Sequence, residues 1–450
     1  MPIQLPDICQ FELRKVLFSR LDEIISNFKG VMFEKEHWNN MFEPCVEPLI
    51  TNLRDINRIS NSIQFKLSAL ATEVDFTDLL VISAVEIVYP FIYAWVKENK
   101  SILTGEFDYS EIFFRDKTQE EKCEIYSLKL GELIAKCNRN SENEITKVMD
   151  ILSRLFPYFG KKVGKVMEEY NLDLFRKYNR IAHPEKFERY FDLNVEYIKL
   201  RTSQITNAIH VMNPEELCDF IMELDKEEVS YDFLQEIKAS MDDIMEDRAK
   251  TIIKSIFNCA SEVDMVTRES LFSLSAKNYA EQLALHLFEK IDEKDRFEFL
   301  QMQIKNSNLN SLPIIARIIN MIELGYGRLA ANGEEREYEK IITLKELEDI
   351  EDVFSKKVRS LLNHHSIFDF SEYRAILHLM KNFAPSYTET YMKGELQKSI
   401  NVLKYLTSFV ATWSGNEVNY EILRKYESEL TKDRILGAIQ KELKTKGLFD

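Results

Sequence analysis

The sequence predicts an all-α fold, and three of its properties carry that prediction. Only 12 glycines and 10 prolines occur in 450 residues, about half their usual share of a globular chain. Leucine, isoleucine, phenylalanine, glutamate and lysine are abundant, and apolar residues recur at steps of three and four, the period of an amphipathic helix. Because 45% of the residues are apolar, the helices can bury substantial cores in two or three domains.

The most regular helical pattern begins at Thr51. Thr51 or Asn52 can cap a helix whose first turn carries Asp55, where the helix dipole favours an anion. Five apolar residues at helical spacing then form a stripe that we expect to be buried: Ile56, Ile59, Ile63, Leu67 and Leu70. The next helix starts near Asp75, and we interpret the apolar run from Leu79 to Val96 as one buried core helix.

Beyond Asn194 the helical pattern becomes regular. Helices are predicted at residues 197–210, 214–224, 228–246, 248–259, 267–288, 292–304, 311–329, 343–362, 370–382, 385–411, 416–429 and 431–446. Capping residues mark several starts, among them Asn213, Ser230, Thr267, Asp292, Ser311, Thr343, Asp369 and Asn416. No position recurs at a fixed period, so a loose α-solenoid and an irregular bundle both remain open. Residues 325–337 are polar and glycine-bearing, which predicts a linker or mobile tip.

Charge and cysteine usage limit the classes of function. The net charge of −16 opposes general binding to a nucleic-acid backbone, which needs a basic surface. Six cysteines lie scattered without CxxC spacing, as expected of buried thiols in a reducing cytosol. The start of the sequence lacks the pattern of a signal peptide, and the run from Leu79 to Val96 contains Glu86 and Pro90 and is shorter than the roughly 20 residues of a membrane span. We therefore predict a cytoplasmic protein without a membrane span.

Part of the sequence resembles a known family. A Thr-x-x-Arg-Asp turn, an Asp-Leu-Leu element and a Pro-x-x-Tyr element follow one another in register at Thr51, Arg54, Asp55, Ile56, Arg58, Asn61, Asp78, Leu79, Leu80, Pro90 and Tyr93. This order resembles the end of the nucleotide-binding domain in the KAP family of P-loop NTPases, a branch of the AAA+-related ATPases. It departs from the family at Leu53, where proline is usual. The segment Ile3–Pro6 also resembles the family, as does a later R-I-x-x-P-E-x-F-x-R-Y-F element at Arg180, Ile181, Pro184, Glu185, Phe187, Arg189, Tyr190 and Phe191.

The resemblance implies the lid and helical tail of such an NTPase. It leads us to expect a lid-like helical region at residues 1–110, a helical connector at 111–195 and a C-terminal helical domain at 196–450. The phosphate-binding loop G-x-x-x-x-G-K-[ST] does not occur, because residues 160–165 have the wrong glycine spacing and follow no apolar strand. ATP and Mg²⁺ would therefore be held outside these 450 residues, by a P-loop core in another chain or by a deleted core of the same protein, and we expect no cofactor in this chain.

The resemblance also gives Arg54 a role. In AAA+-related proteins an arginine that opens the lid helix reaches the γ-phosphate and reports hydrolysis to the rest of the molecule. A guanidinium suits this task because its forked donors match phosphate oxygens and its charge does not titrate. Arg58 projects from the same helix face and is the second nucleotide-sensing candidate. The alternative is a surface arginine paired with Asp55 or Glu47.

One segment mixes basic and aromatic residues. The basic residues are Arg154, Lys161, Lys162, Lys165, Arg176, Lys177 and Arg180, interleaved with Phe156, Tyr158, Phe159, Phe175 and Tyr178. Such a mixture can follow a nucleic-acid strand, with cations on phosphates and rings on bases. The candidates for that contact are Lys161, Lys162, Lys165, Arg176 and Lys177. We favour the alternative, in which the rings are buried and the lysines are solvated.

Other chemistry has little support in the sequence. Asp78 and Glu86 could form a catalytic pair, but a first-turn helix acid and a partner for a lid arginine explain them better. His364 and His365 are adjacent, so on a helix they diverge by about 100° and cannot chelate one ion together. No HExxH or GxSxG motif occurs, so we predict no metal site and no catalytic residue in this chain.

Two functions follow from these observations. In the first, the chain is the regulatory and interaction part of a KAP-like NTPase, coupling nucleotide state to a protein partner without hydrolysing ATP itself. Bacterial members of the family are often associated with defence against phage or plasmids, a role that the resemblance permits. In the second, the chain is a helical-repeat scaffold or protein-interaction module with no nucleotide role.

Overall fold

The computed structural model describes residues 9–139, 142–165, 169–259, 276–329, 333–410, 426 and 428–446. Every regular element in these ranges is a helix, which confirms the predicted all-α fold, and extended backbone pairs there only at an isolated bridge between Met32 and Asp75. No described helix combines the length and the apolarity needed to cross a bilayer. Three predicted features lie outside these ranges: the segment Ile3–Pro6, the helix start at Thr267 and most of the helix at 416–429.

The chain divides into two compact units. The first comprises residues 1–207 and 235–242, and the second comprises residues 208–234 and 243–450. The regions predicted as a lid and as a connector both contribute to one hydrophobic core in the first unit.

The first unit contains the helices that the family resemblance covers. They are α1 (Gln10–Ser26), α2 (Lys35–Met41), α3 (Leu53–Leu70), α4 (Phe76–Val88), α5 (Pro90–Glu98), α6 (Lys100–Thr104), α7 (Ser110–Phe113), α8 (Gln119–Lys136), α9 (Glu142–Leu155), α10 (Pro157–Lys162), α11 (Leu172–Lys177) and α12 (Pro184–Phe187). Helix α3 packs on α1 and α4, α8 packs on α5 and α9, and α10 packs on α6 and α9. The two helices of the Thr51 pattern, α3 and α4, are therefore neighbours in space.

Helix α3 begins and packs as its sequence predicts. The Asn52 side chain accepts a hydrogen bond from the Asp55 N–H at 3.0 Å, which is the contact of an N-cap residue. Each of the five residues in the predicted stripe is at most 1% exposed, which confirms the buried face. Phe65, on the same helix but outside the stripe, is 66% exposed.

The apolar run from Leu79 to Val96 is not one helix, contrary to the prediction. Helix α4 ends at Val88 and α5 begins at Pro90, with Tyr89 between them at φ −132° and ψ 66°. Proline has no N–H to donate and disfavours the helical conformation in the residue before it, so it ends one helix and opens the next. The predicted burial holds for Phe76–Val85, all of whose residues are buried.

The remaining described helices continue along the chain. They are α13 (Thr202–His210), α14 (Pro214–Lys226), α15 (Ser230–Ala239), α16 (Glu246–Cys259), α17 (Ala276–Phe288), α18 (Glu293–Asn306), α19 (Leu312–Gly325), α20 (Leu344–Leu362), α21 (Tyr373–Phe383), α22 (Pro385–Glu395), α23 (Ser399–Val410) and α24 (Lys432–Thr445). In the second unit α14 packs on α16, α17 on α19, α18 on α20 and α19 on α21. Packing between helices that are close in sequence fits both a solenoid-like stack and an irregular bundle.

Two helix predictions beyond Asn194 need correction. Residues 228–246 were predicted as one helix, but α15 ends at Ala239 and α16 begins at Glu246. Residues 385–411 were predicted as one helix, but the described part forms α22 and α23, separated at residues 396–398. Residues 325–337 were predicted as a linker or mobile tip, and here the Arg336 N–H donates to the Gly325 carbonyl at 2.8 Å. The described part of this segment is therefore bonded back to the end of α19.

Replacing Ile63 with alanine should create a cavity in the α3 stripe and lower the free energy of unfolding of the first unit by about 2–5 kcal/mol. The matched control is Phe65→Ala on the exposed face, which we expect to change that free energy by less than about 1 kcal/mol. Urea unfolding followed by tryptophan fluorescence in a Trp413→Phe background measures both, because Trp38 and Trp95 belong to the first unit. Equal losses in the two variants would contradict the assigned buried face.

Candidate functional site

Arg54 and Arg58 lie on the exposed surface of α3. Glu47, one of the acids that the surface alternative offered to Arg54, pairs with Arg14 instead. Within the described residues no acid lies at ion-pair distance from either the Arg54 or the Arg58 guanidinium. Both groups can therefore meet an anion that arrives from outside the first unit.

Side chains fix the turn that carries Arg54. Thr51 donates to Asp55 Oδ2 through its N–H (3.1 Å) and its hydroxyl (2.7 Å), while Asn52 accepts from the Asp55 N–H. Asp55, the other acid offered by the surface alternative, is thus occupied within its own turn. These bonds hold the Arg54 backbone in place and leave its side chain exposed.

A second group of polar residues, which the sequence reasoning did not predict, is buried at the start of α4. His37 Nε2 lies 2.7 Å from Asp78 Oδ1 and 3.8 Å from Asp75 Oδ1. The three side chains are at most 2% exposed. Asp75 is also the N-cap residue of α4, since its Oδ1 accepts from the Asp78 N–H at 2.9 Å. We call these residues the His37–Asp75–Asp78 cluster.

The segment from Asn179 to Tyr190 contacts this cluster through its backbone and one hydroxyl. The Ile181 N–H donates to Asp78 Oδ2 at 2.9 Å. The Tyr190 hydroxyl accepts from the Asp75 N–H (2.9 Å) and donates to the Asn179 carbonyl (2.7 Å). Asp78 belongs to the Asp-Leu-Leu element, and Ile181 and Tyr190 belong to the later element, so two parts of the family resemblance contact each other.

Two ion pairs hold the same segment in register. Arg180 pairs with Glu34, and Arg189 pairs with Glu73 at 3.0 Å. The Glu73 carboxylate also accepts from the Thr202 hydroxyl at 3.0 Å. Because the four charged side chains are at most 21% exposed, salt screens these pairs less than pairs on an open surface.

Burial changes the protonation of groups around the cluster. Burial, reinforced by the neighbouring Asp78 charge, raises the pKa of Asp75 to about 7. Burial also raises the pKa of the Tyr190 hydroxyl well above its usual value. It lowers the pKa of His183 to about 3. At neutral pH Tyr190 is therefore a neutral donor and His183 is a neutral imidazole.

The five residues predicted as a nucleic-acid contact do not form one open basic surface. Lys162 is buried, with its Nζ 2.5 Å from Asp108 and 3.1 Å from Glu111. Arg176 is also buried and lies 3.2 Å from Glu236. Because these acids already pair with Lys162 and Arg176, a phosphate would have to displace them to reach either cation. Lys165 pairs with Asp150 at 2.5 Å. A nucleic-acid contact by Lys161 or Lys177 stays a prediction.

Asp78 and Glu86 do not form a catalytic pair. Asp78 belongs to the buried cluster, while Glu86 pairs with Lys66 at 2.7 Å. The expected arginine partner of Glu86 is thus a lysine. Lys66 also donates to the Ser83 hydroxyl at 3.0 Å, so it cross-links α3 to α4.

The sequence offered little sign of His37. A single histidine beside Trp38 in a short helix has no diagnostic spacing, and its partner Asp78 lies 41 residues away. The position of Asp78 in the sequence did indicate that it needs a buried polar partner. An aspartate at the start of an otherwise apolar, buried helix needs a polar partner, although the helical period does not say which.

Comparison with known proteins assigns no family. No protein-family model matches the chain, and no curated protein and no solved structure matches it. The fold and the site define an all-α protein that presents an arginine on a rigid helix pair, and the family resemblance rests on the residues quoted above.

His183 should make the first unit sensitive to acid. The unfolded chain binds a proton at this imidazole below about pH 6.5, whereas the folded chain does so only near pH 3. The free energy of unfolding therefore falls as the pH falls through this range, and at pH 5 the loss amounts to about 2 kcal/mol. His183→Asn retains an acceptor for the Glu185 N–H, which His183 Nδ1 binds at 3.2 Å, and does not titrate.

We expect the difference in stability between His183→Asn and the parent chain to shift by about 2 kcal/mol in favour of the variant between pH 8 and pH 5. Urea unfolding of the Trp413→Phe background at both pH values measures it. A difference that does not change with pH would contradict the buried, neutral state of His183.

Proposed function

We propose that the chain is the regulatory and interaction part of a KAP-like P-loop NTPase, in which Arg54 faces the triphosphate of a nucleotide held by another chain. The observation that carries this proposal is the exposed Arg54 side chain on a turn closed by three hydrogen bonds. A guanidinium in this position can reach the phosphate of a neighbouring subunit without rearrangement of the first unit.

The start of α3 suits an anion. The N-terminus of a helix carries a partial positive charge, and Arg54 and Arg58 add two cations about one turn apart. The net charge of −16 weakens anion binding at this site only slightly, because charges beyond the Debye length of about 8 Å are screened at physiological ionic strength.

The contacts of α3 and α4 support a coupling role. Helix α3 packs on α4 through its buried stripe, and the Lys66–Glu86 pair joins the same two helices. The first turn of α4 is in turn bonded to Ile181 and Tyr190. Because packed cores switch between discrete arrangements and do not deform continuously, a movement imposed on Arg54 would reach the segment 179–190.

A second function, a helical scaffold that binds a protein partner without any nucleotide role, is favoured by a different observation. Large apolar side chains around α7 are between 68% and 81% exposed: Phe107, Tyr109, Ile112 and Phe113. Exposed apolar clusters mark interaction surfaces. The buried Asp108–Lys162 pair anchors the residues that precede α7.

The first function, the regulatory part of a KAP-like NTPase, also includes the proposals of a cytoplasmic location and of a role in defence against phage or plasmids.

The isolated chain should not bind Mg-ATP, because it contains no phosphate-binding loop. Titration with a fluorescent ATP analogue in the presence of Mg²⁺ is expected to show no saturable change. Tight, saturable binding would contradict the assignment of the nucleotide to another chain.

Arg54 should control nucleotide turnover in the complete assembly. Affinity purification of the tagged chain from its native host is expected to recover a P-loop protein, and the purified complex should hydrolyse ATP. Arg54→Ala should lower kcat at least about tenfold, since arginines that contact the transferred phosphate contribute 10³-fold or more. The matched control is Arg20→Ala, which removes an exposed arginine of α1 and should leave kcat unchanged.

Recovery of partners without a P-loop protein would overturn the first function, as would equal turnover by the Arg54→Ala and Arg20→Ala complexes. The scaffold function gains support if Ile112→Ser with Phe113→Ser abolishes partner recovery while Arg54→Ala has no effect.

A further inference from the structure

The His37–Asp75–Asp78 cluster brings one imidazole and two carboxylates to a single buried point. One potential ligand atom from each residue lies within 4.8 Å of the other two. The donors come from α2 and from the start of α4, which are separate segments of the first unit. His37 Nε2 and Asp78 Oδ1 already lie in contact at 2.7 Å.

The described protein balances the charges of this cluster only in part. Asp75 and Asp78 are buried to 0% and 2% side-chain exposure, and the positive charge of Arg180, which also pairs with Glu34, offsets only part of the rise that burial and Asp78 cause in the pKa of Asp75. Asp75 Oδ2 is buried and has no hydrogen-bond partner among the described residues. Buried carboxylates are costly unless they are paired or bound to a metal, so the cluster requires a proton or a cation.

We infer that the His37–Asp75–Asp78 cluster binds a first-row transition-metal dication of the Zn²⁺ type. An imidazole nitrogen with carboxylate oxygens suits Zn²⁺ and Co²⁺, whereas Ca²⁺ and Mg²⁺ prefer shells of oxygen ligands and water. This site does not depend on the proposed nucleotide role, and a bound ion would join α2 to α4.

The donor distances are close to those of a metal site. Bonds of about 2.0–2.2 Å place neighbouring ligand atoms about 3.0–3.4 Å apart. His37 Nε2 lies 2.7 Å from Asp78 Oδ1 and 3.8 Å from Asp75 Oδ1. These distances bracket that range, and Asp75 Oδ2, the oxygen without a partner among the described residues, belongs to the same carboxylate. Small side-chain rotations would therefore bring the three donors to bonding distance of one ion.

Neighbouring groups orient both carboxylates. The Ile181 N–H binds Asp78 Oδ2 and leaves Oδ1 for the ion. The Asp78 N–H binds Asp75 Oδ1 and leaves the unpartnered Oδ2 for the ion. Hydrogen bonds of this kind fix ligand orientation in known metal sites.

Asp75→Asn separates metal binding from folding. Asparagine caps a helix as well as aspartate does and can still accept the Asp78 N–H, but it lacks the anionic donor. The matched control is Asp292→Asn, which makes the same change at the exposed N-cap of α18, whose side chain accepts from the Lys294 N–H at 3.4 Å.

The experiment titrates Zn²⁺ and Co²⁺ into the chelator-treated full chain against a chromophoric chelator. A parallel sample is refolded from urea with Zn²⁺, because a buried site can fill slowly. We expect one ion per chain, a Co²⁺ visible spectrum, and no displacement of Zn²⁺ by millimolar Mg²⁺. Asp75→Asn should weaken affinity at least about tenfold, a loss that even groups orienting a ligand can cause, and Asp292→Asn should not.

Thermal unfolding supplies a second readout. At one Zn²⁺ concentration the rise in Tm should be similar for the parent chain and Asp292→Asn and smaller for Asp75→Asn, because an ion that binds only the folded state stabilises it to an extent that grows with its affinity. The inference is overturned if neither titration nor refolding yields bound metal. It is also overturned if Asp75→Asn binds like the parent, or if replacing the exposed His364 and His365 with glutamine removes the binding.

Discussion

The Asp78 carboxylate, in the first turn of α4, is the contact on which the first unit depends. Its Oδ2 accepts from the Ile181 N–H at 2.9 Å and its Oδ1 lies 2.7 Å from His37 Nε2, so one side chain joins three segments that are distant in sequence. A buried carboxylate is tolerated only when its oxygens are bonded. Without Asp78 the Ile181 N–H would be buried without its acceptor, and only the Tyr190 hydroxyl and the two ion pairs would hold the segment 179–190 in register.

This constraint also fixes the backbone that carries the exposed Arg54 side chain. Arg54 is on the surface, but its helix is held to α4 by the buried stripe and by the Lys66–Glu86 pair. Helix α4 is in turn held by the segment 179–190. This chain of buried contacts fixes the backbone from which Arg54 projects, while the exposed guanidinium itself stays in solvent.

The sequence was sufficient for features that depend on a single helix. The Asn52 cap and the stripe of α3 follow from local hydrogen bonding and from the helical period. The break at Pro90 was missed because the continuous apolar pattern outweighed a single local signal. The partners of His37 and Lys162 could not be predicted, since each lies dozens of residues away and periodicity carries no information about packing between segments.

The way this chain buries its other charges sets the cluster apart. Lys186, 1% exposed, lies 2.7 Å from Glu236, and burial lowers its pKa to about 8 while the carboxylate opposes that shift. Lys162 likewise meets Asp108. In both places a full positive charge faces a full negative charge, as the cost of a buried, unpaired ion requires. At the cluster the two carboxylates instead meet the His37 imidazole, at 2.7 Å and 3.8 Å, and the Arg180 charge offsets only part of the effect of burial on Asp75. This weaker compensation is what distinguishes the cluster from the two lysine–carboxylate pairs.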